Sequence, residues 1–223
     1  MELRRTANAG FLLTLDGVTI ALDGVCLAAS PYQATPPAEQ ARLLAAPPDL
    51  LAFTHCHEDH FDPAFAAAFS GSVLGPQQVA SALPGKAVSQ QTRTVGTVGI
   101  TPVSTRHIGK SSLTTQHLSF IIEGSHRVWF MGDATPTQMA LLAPFGKPDV
   151  LIAPYAYATT PAAVRMVNEA EPKLFVLTHM PLRDNDPAGL WDAVETMLPQ
   201  LGIPMLLPEI GQTVRPKLPR RSV

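Results

Sequence analysis

One short segment of the chain concentrates side chains that bind metal ions. Residues 54–62 read Thr-His-Cys-His-Glu-Asp-His-Phe-Asp and hold three of the seven histidines in the sequence. Neutral imidazole and carboxylate groups bind zinc, iron and manganese in proteins. The apolar run at residues 50–53 comes directly before them, which predicts a buried strand that delivers polar side chains at its C-terminal end. Polar groups behind a buried strand carry a desolvation cost, and bound metal explains them best.

The spacing within this segment favours two metal positions over one. His55 and His57 are two residues apart, so a strand-like backbone points both to one side. Asp59 and His60 are adjacent, and a turn or the start of a helix would send them to a second, neighbouring point. One loop can therefore supply ligands to two ions roughly 3.5–4 Å apart, an arrangement that hydrolytic enzymes use.

The pattern His-x-His-x-Asp-His resembles the signature of the metallo-β-lactamase fold superfamily, and it is formed here by His55, His57, Asp59 and His60. The resemblance implies further ligands downstream at strand ends. The sequence offers them in the expected order as His107, Asp133 and His179. It also implies an Asp that closes an early strand, and Asp23 after the run Val18–Leu22 fits that position. The resemblance therefore extends over nearly the whole chain.

The resemblance implies a role for each of these residues. One metal would be bound by His55, His57 and His107, and the other by Asp59, His60 and His179, with Asp133 bridging both. A water or hydroxide between the ions would act as the nucleophile, because metal coordination lowers its pKa towards about 7. Asp23 would orient a ligand imidazole through its other ring nitrogen. Two divalent ions are expected, zinc first, with manganese and iron as alternatives.

The fold implied by the resemblance is an α/β class αβ/βα four-layer sandwich, in which two sheets pack face to face with helices outside. Residues 1–223 would form a single domain of this kind. Within the superfamily the chain looks closest to compact, stand-alone metal-dependent hydrolases, a subgroup that includes an ascorbate-phosphate lactonase. The implied function is a binuclear metal-dependent hydrolase acting on a small ester, lactone or phosphodiester.

Several residues are candidates for proton transfer or substrate binding. Tyr155 and Tyr157 follow the apolar strand at residues 149–153, and an extended backbone would place both on one face. Either phenol could donate a proton or hold an oxyanion, or both could simply line the pocket. Asp59 is the alternative proton donor. Arg106 and Lys110 flank His107 and could attract an anionic substrate, or they could be ordinary surface charges.

Local patterns predict the elements around these ligands. Residues 10–22 with a turn at Asp16-Gly17 favour a β-hairpin, as do residues 119–131 around Gly124. A helix from Pro161 between two apolar strands predicts a crossover that joins parallel strands. His126 is expected to be exposed in its turn, His117 to precede a strand away from the site, and Cys56 to be a small buried apolar side chain.

Composition restricts the remaining function classes. Charged residues are 15 % of the chain and the net charge is −2, so no basic field favours nucleic acid. The sequence contains no apolar run of about 18 residues, so no membrane span is expected. Two cysteines give no disulfide framework, which points to a reducing, cytoplasmic compartment. A small-molecule substrate is expected, and a homo-oligomer is left open.

A redox or sensing module on the same fold is the alternative function. Diiron members of the superfamily that reduce oxygen or nitric oxide normally have a carboxylate at the position of His57 and carry a flavin domain. This sequence has a histidine there, and its 223 residues contain no recognisable flavin domain. The hydrolase interpretation is therefore favoured.

Overall fold

A computed structural model describes residues 1–109 and 113–221. In this part of the chain, the strands form two mixed sheets of seven strands each. The first sheet has the order β14-β1-β2-β3-β4-β5-β6. Its strands are Glu2–Arg5 (β1), Phe11–Leu15 (β2), Val18–Leu22 (β3), Leu50–Ala52 (β4), Ser72–Leu74 (β5), Val88–Ser89 (β6) and Thr213–Val214 (β14). Strands β3 to β6 are parallel to one another, whereas β14, β1, β2 and β3 pair antiparallel.

The second sheet has the order β13-β12-β11-β10-β9-β8-β7 and, like the first, is parallel in one half and antiparallel in the other. Strands β10 to β13 are parallel, and β7 to β10 are antiparallel. Its strands are Arg93–Val95 (β7), Val98–Thr105 (β8), His117–Glu123 (β9), Arg127–Phe130 (β10), Val150–Pro154 (β11), Leu174–Thr178 (β12) and Met205–Leu206 (β13).

Helices cover the outer faces of both sheets. They are Pro37–Ala45 (α1), Pro63–Ala68 (α2), Gln77–Ser81 (α3), Met139–Leu142 (α4), Pro161–Ala170 (α5) and Leu190–Met197 (α6). Side-chain caps start two of them. Asp62 accepts hydrogen bonds from the main-chain N–H groups of Ala64 and Phe65, and Thr160 from that of Ala163. None of the helices in the described ranges has the length and apolar character needed to cross a bilayer.

The alternation of side chains along each strand explains the four layers. In β9, Phe120 and Ile122 pack into the core between the two sheets, while Ile121 packs on the opposite face against the helices. In β4, Leu50 points between the sheets and Leu51 packs outwards with Phe65 of α2. The expected αβ/βα four-layer sandwich is therefore confirmed. Burial on both faces also accounts for the short, uniformly apolar parallel strands.

The predicted local elements are confirmed with one correction. Both hairpins form, and α5 connects the parallel strands β11 and β12. His126, however, is buried, so the expectation that it is exposed is wrong. Its Nε2 lies 3.3 Å from the carbonyl oxygen of Leu218, because the chain near its C-terminus folds over this turn.

Candidate metal centre

The predicted metal-binding loop follows the C-terminal end of the parallel strand β4, where open α/β sheets place their sites. Residues from four other strand ends meet it there. Asp23 follows β3, His107 follows β8, Asp133 follows β10 and His179 follows β12. The two sheets thus bring the predicted ligands from both halves of the chain to one edge of the sandwich.

Three histidines form the first ligand group. One ring nitrogen from each of His55, His57 and His107 lies within 4.8 Å of the others. Nε2 of His55 and Nε2 of His107 are 3.2 Å apart. The Nδ1 of His107 lies 2.6 Å from the carbonyl oxygen of Ile108, so it carries the proton and leaves Nε2 with a free lone pair.

Asp59, His60 and His179 form the second group, also within 4.8 Å of one another. Nε2 of His179 lies 3.0 Å from Oδ2 of Asp59. These groups correspond residue for residue to the two ligand sets that the family resemblance implies.

Asp133 lies between the two groups. Its Oδ2 is 3.6 Å from Nε2 of His107 in the first group and 3.3 Å from Nε2 of His179 in the second. Its Oδ1 is 3.4 Å from Nε2 of His60. One carboxylate therefore reaches ligands of both groups, as a bridging residue must.

Asp23 orients an imidazole in each group. Its Oδ2 accepts a hydrogen bond of 2.8 Å from Nδ1 of His60 and one of 2.6 Å from Oγ1 of Thr54. Because the Thr54 hydroxyl donates its proton to Asp23, it accepts from Nδ1 of His55 at 2.9 Å. Both ligands are thereby held with a proton on Nδ1 and a lone pair on Nε2. Asp23 also lies within 4.8 Å of His55 and His60, but its oxygens are engaged by these bonds, so we assign it to orientation rather than to ligation.

The charges in the site fit a cation. Burial and the neighbouring imidazoles lower the pKa of His55 well below its usual value, which keeps it in the neutral form that binds metal. Burial alone would raise the pKa of Asp133, but His179 and His60 outweigh it and hold the carboxylate ionised. Burial lowers the pKa of His60, yet Asp133 and Asp23 raise it well above its usual value. These carboxylates therefore favour positive charge at Nε2 of His60, whether as a proton or as a metal ion.

Unpartnered polar atoms provide a direct test of the fit to metal. Seven buried side-chain polar atoms of the described residues form no hydrogen bond, and three of them are Nε2 of His60, Nε2 of His179 and Oδ1 of Asp133. Each such atom costs free energy unless something pairs with it. All three belong to the predicted ligand set, so the donor atoms fit divalent ions.

Strained backbone accompanies these ligands. Asp23 and His179 have positive φ angles of 45° and 58°, which non-glycine residues rarely adopt. Gly132, with φ of 52°, precedes Asp133, and a Cβ added to it would lie 2.5 Å from Cγ2 of Thr54. The approach of Gly132 to Thr54 brings Asp133 up to the loop that carries the histidines.

His117 belongs to the site, contrary to the expectation from sequence. It begins β9, is buried, and its ring centroid lies 5.2 Å from that of His55. The backbone N–H of Asp133 donates to its Nε2 at 3.0 Å, and its Nδ1 lies 2.7 Å from Oγ1 of Thr105. Burial lowers the pKa of His117 to about 3, which keeps it a neutral acceptor that fixes Asp133.

The two tyrosines after β11 diverge. Residues Tyr155–Tyr157 form a single 3₁₀ turn, so the expectation of an extended backbone with both rings on one face is wrong. The Tyr155 ring lies 5.9 Å from that of His179. Tyr157 is fully buried, and its hydroxyl donates to the carbonyl oxygen of Thr135 at 3.3 Å. The position of Tyr155 suits a catalytic role and that of Tyr157 does not support one.

Three other positions were named from the sequence, and one residue next to the site was missed. Arg106 is exposed beside His107, and Lys110 lies outside the described residues. Cys56 is half-buried, with its Sγ 3.8 Å from Oε1 of Gln78, so it is less enclosed than expected. Tyr32, which no motif indicates, packs edge-on against His179 with ring centroids 4.2 Å apart.

Three solved structures resemble this fold along 96 % of the chain. A possible metal-dependent hydrolase from Veillonella parvula DSM 2008 has a TM-score of 0.74 and 16 % identity, with 98 % of that chain covered. The isothiocyanate hydrolase from Delia radicum gut bacteria has a TM-score of 0.68 and 18 % identity, again with 98 % covered. CmlA, a diiron β-hydroxylase from Streptomyces venezuelae, has a TM-score of 0.66 and 16 % identity, with 54 % covered. At such identities the likeness concerns the fold alone.

The sequence comparison defines the family. Curated protein sequences gave no match. The family model described as the beta-lactamase superfamily domain matches residues 19–180, well over half of the chain. That range contains Asp23 and all seven predicted ligands from His55 to His179. The chain therefore belongs to the β-lactamase superfamily and has the metallo-β-lactamase fold.

Proposed function

We propose that the protein is a binuclear metal-dependent hydrolase of small esters, lactones or phosphodiesters. The observation that carries this proposal is the position of Asp133 between two groups of three ligands, with contacts to both. Among the similar structures, one named a possible metal-dependent hydrolase and one named an isothiocyanate hydrolase support the same class of reaction. The expected kinship with an ascorbate-phosphate lactonase stays a prediction.

The residues of this chain would have different roles in hydrolysis. Two divalent ions would supply a hydroxide nucleophile at neutral pH and polarise the oxygen of the bond to be cleaved. Asp23, through Thr54 and directly, holds His55 and His60 in the tautomer that offers Nε2 to a cation. Tyr155, beside His179, is placed to donate a proton or to hold an oxyanion, and Asp59 is the alternative donor.

We propose zinc as the resident metal, with manganese and iron as alternatives. Five of the seven proposed ligands are imidazoles and two are carboxylates, a set that suits zinc and also accepts manganese or iron. A small-molecule substrate and a cytoplasmic location remain proposals that agree with the free thiols of Cys26 and Cys56.

Redox chemistry is the second candidate, because CmlA shares the fold and is named a diiron β-hydroxylase. The histidine at position 57 argues against a diiron reductase, since the members of the superfamily that reduce oxygen or nitric oxide normally have a carboxylate there. An absorption spectrum of protein purified without chelator separates the two functions. Iron charge-transfer bands would favour redox chemistry, whereas a colourless protein with bound zinc supports hydrolysis.

The hydrolase proposal can be tested with a panel of lactone, ester, thioester, phosphodiester and β-lactam substrates, with metal measured on the same sample. Asp133→Ala should abolish whichever activity is found. The matched control is Asp149→Asn. Asp149 is also buried and accepts a main-chain hydrogen bond, from Arg127, but it precedes β11 at the opposite end of the parallel strands. Activity that survives Asp133→Ala, or is lost equally in Asp149→Asn, would contradict the proposal.

A further inference from the structure

A cleft of about 540 Å³ adjoins the metal centre on the side of His179. Tyr32 lines this cleft, and its ring packs edge-on against His179. Met180, the next residue after that ligand, lines it as well. A molecule in the cleft would therefore contact Tyr32 and Met180, the neighbours of His179 in the second ligand group. Its volume is within the range of small-molecule sites.

The cleft contains a buried cation with no carboxylate partner. Arg5 is 7 % exposed and lines the cleft. Its guanidinium donates to the carbonyl oxygens of Ala7, Asn8 and Pro208, at 3.3, 2.7 and 2.8 Å. These bonds use three of its five N–H groups. Burial lowers the pKa of Arg5 to about 10, which leaves it charged at neutral pH. Within the described residues, it forms no ion pair.

Asn8 adds an unpartnered donor beside this cation. The residue is 3 % exposed and lines the cleft, and its Nδ2 has no hydrogen-bond partner in the described part of the chain. Its main-chain oxygen accepts from Arg5 and from Oγ1 of Thr178, the residue before His179. Asn8 is therefore fixed between Arg5 and the metal centre, with an amide donor that only a ligand oxygen or water could satisfy.

The remaining walls suit an apolar body. Pro31, Leu207 and the aromatic ring of Trp191 line the cleft with Tyr32. Two further charges at the cleft differ from Arg5. Arg183 is exposed and already paired with Glu195 at 2.7 Å, and Glu209 is exposed at the rim. The one buried charge in the cleft is thus positive and is available to an anion.

We propose that this cleft selects a substrate with an apolar body that ends in a carboxylate, bound by Arg5 and Asn8. The carboxylate would accept from the two spare N–H groups of Arg5 and from Nδ2 of Asn8, a charge-assisted arrangement. The bond to be cleaved would lie past Tyr32 at the metal centre. This inference rests on the proposed hydrolase function and narrows its substrate class to anionic esters or lactones.

Two esters that differ in one terminal group test the selection. These are 4-nitrophenyl pentanoate and mono-4-nitrophenyl glutarate, which share the chain length and leaving group. The wild type should have a kcat/KM roughly 10- to 100-fold higher for the glutarate ester, the scale of a hydrogen-bonded ion pair. Arg5→Gln should bring this ratio to about 1. The matched control Arg4→Gln removes the neighbouring guanidinium, which pairs with Glu39 outside the cleft, and should keep the wild-type ratio.

A binding measurement separates failure of the cleft from failure of the hydrolase. The chain has two tryptophans, so Trp129→Phe leaves Trp191 in the cleft as the only indole. Titration with hexanoate should change its fluorescence at a concentration roughly tenfold lower than hexanamide requires. Adding Asn8→Ala or Arg5→Gln should remove that difference, and either variant serves if the other fails to fold.

The outcomes are distinct. Arg5-dependent binding of hexanoate without turnover of either ester would refute ester hydrolysis and support the cleft. Equal turnover of both esters, with equal binding of hexanoate and hexanamide, would overturn the cleft assignment and leave the hydrolase intact.

Discussion

Asp23→Asn should weaken both metal positions at once, although Asp23 is not assigned as a ligand. The side-chain oxygens of Asp23 accept from N and Oγ1 of Thr54 and from Nδ1 of His60. Asparagine has nearly the same size and tolerates the positive φ of this position, so the backbone should be preserved. It can accept through only one oxygen. Oδ2 of Asp23 accepts from both the Thr54 hydroxyl and Nδ1 of His60, whereas Oδ1 accepts from the Thr54 backbone N–H, which can never act as an acceptor. The amide group should therefore take the Oδ2 position and face the Thr54 hydroxyl and Nδ1 of His60. Those partners would have to accept instead of donate.

The magnitude follows from the change in tautomer. If Nδ1 of His60 accepts a hydrogen bond, the proton moves to Nε2, the atom that the site offers to a cation. If the Thr54 hydroxyl rotates to accept from the amide, Nδ1 of His55 loses its hydrogen-bond acceptor, and the same change of tautomer follows. Loss of a partner of this kind typically reduces metal affinity or activity 10- to 100-fold, or about 1.4–2.7 kcal/mol per site. Because Asp23 serves His55 and His60, each position should lose affinity by this amount.

The assay is a competition titration of zinc against a chromophoric chelator, with thermal unfolding of the same samples. Asp149→Asn is the matched control, because that buried carboxylate accepts from the backbone of Arg127 and pairs with Lys173, far from the ligands. The control should lose stability but keep both zinc affinities. Wild-type zinc affinity at both positions in Asp23→Asn would refute the orienting role of Asp23. Weakening of one position alone would refute the claim that Asp23 orients ligands of both positions.

Four further substitutions test the site. Asp133→Ala should abolish hydrolysis and weaken both metal positions together, because it removes the anion between two cations; metal titration and turnover check this. Tyr155→Phe should slow turnover roughly 10²–10⁴-fold at constant metal content if the phenol donates a proton, whereas Tyr157→Phe should cost only about 1 kcal/mol of stability. Equal turnover in both variants would mean that the two rings only line the pocket. Gly132→Ala should destabilise the fold by about 1–3 kcal/mol in thermal unfolding, because its φ is positive and Thr54 blocks a Cβ. An unchanged melting temperature would contradict that reading.

The ligands could be predicted because they follow strands with strong local patterns. The apolar run before His55 and the hairpin before Asp133 place these side chains at strand ends, and strand ends of parallel sheets share one edge. The family resemblance then supplied the pairing of ligands into two groups, which spacing alone leaves open.

The rest of the site depends on contacts that no local pattern encodes. Tyr32 lies in an irregular segment, and its packing on His179 arises only when the two sheets are assembled. His117 was expected to lie away from the site, and its contact could not be foreseen because its partner, the backbone N–H of Asp133, is 16 residues distant. The tyrosine prediction was wrong because Pro154 leads into a 3₁₀ turn, where residues two apart do not share a face.

The metal stoichiometry tests the central claim most directly. The claim is that seven side chains from the ends of four strands hold two ions, with Asp133 between them. Elemental analysis of the folded protein, after zinc loading and removal of free metal, should give close to two ions per chain for the wild type and close to none for Asp133→Ala. A folded wild-type protein that takes up no zinc, or that saturates at one ion per chain, would contradict the binuclear centre.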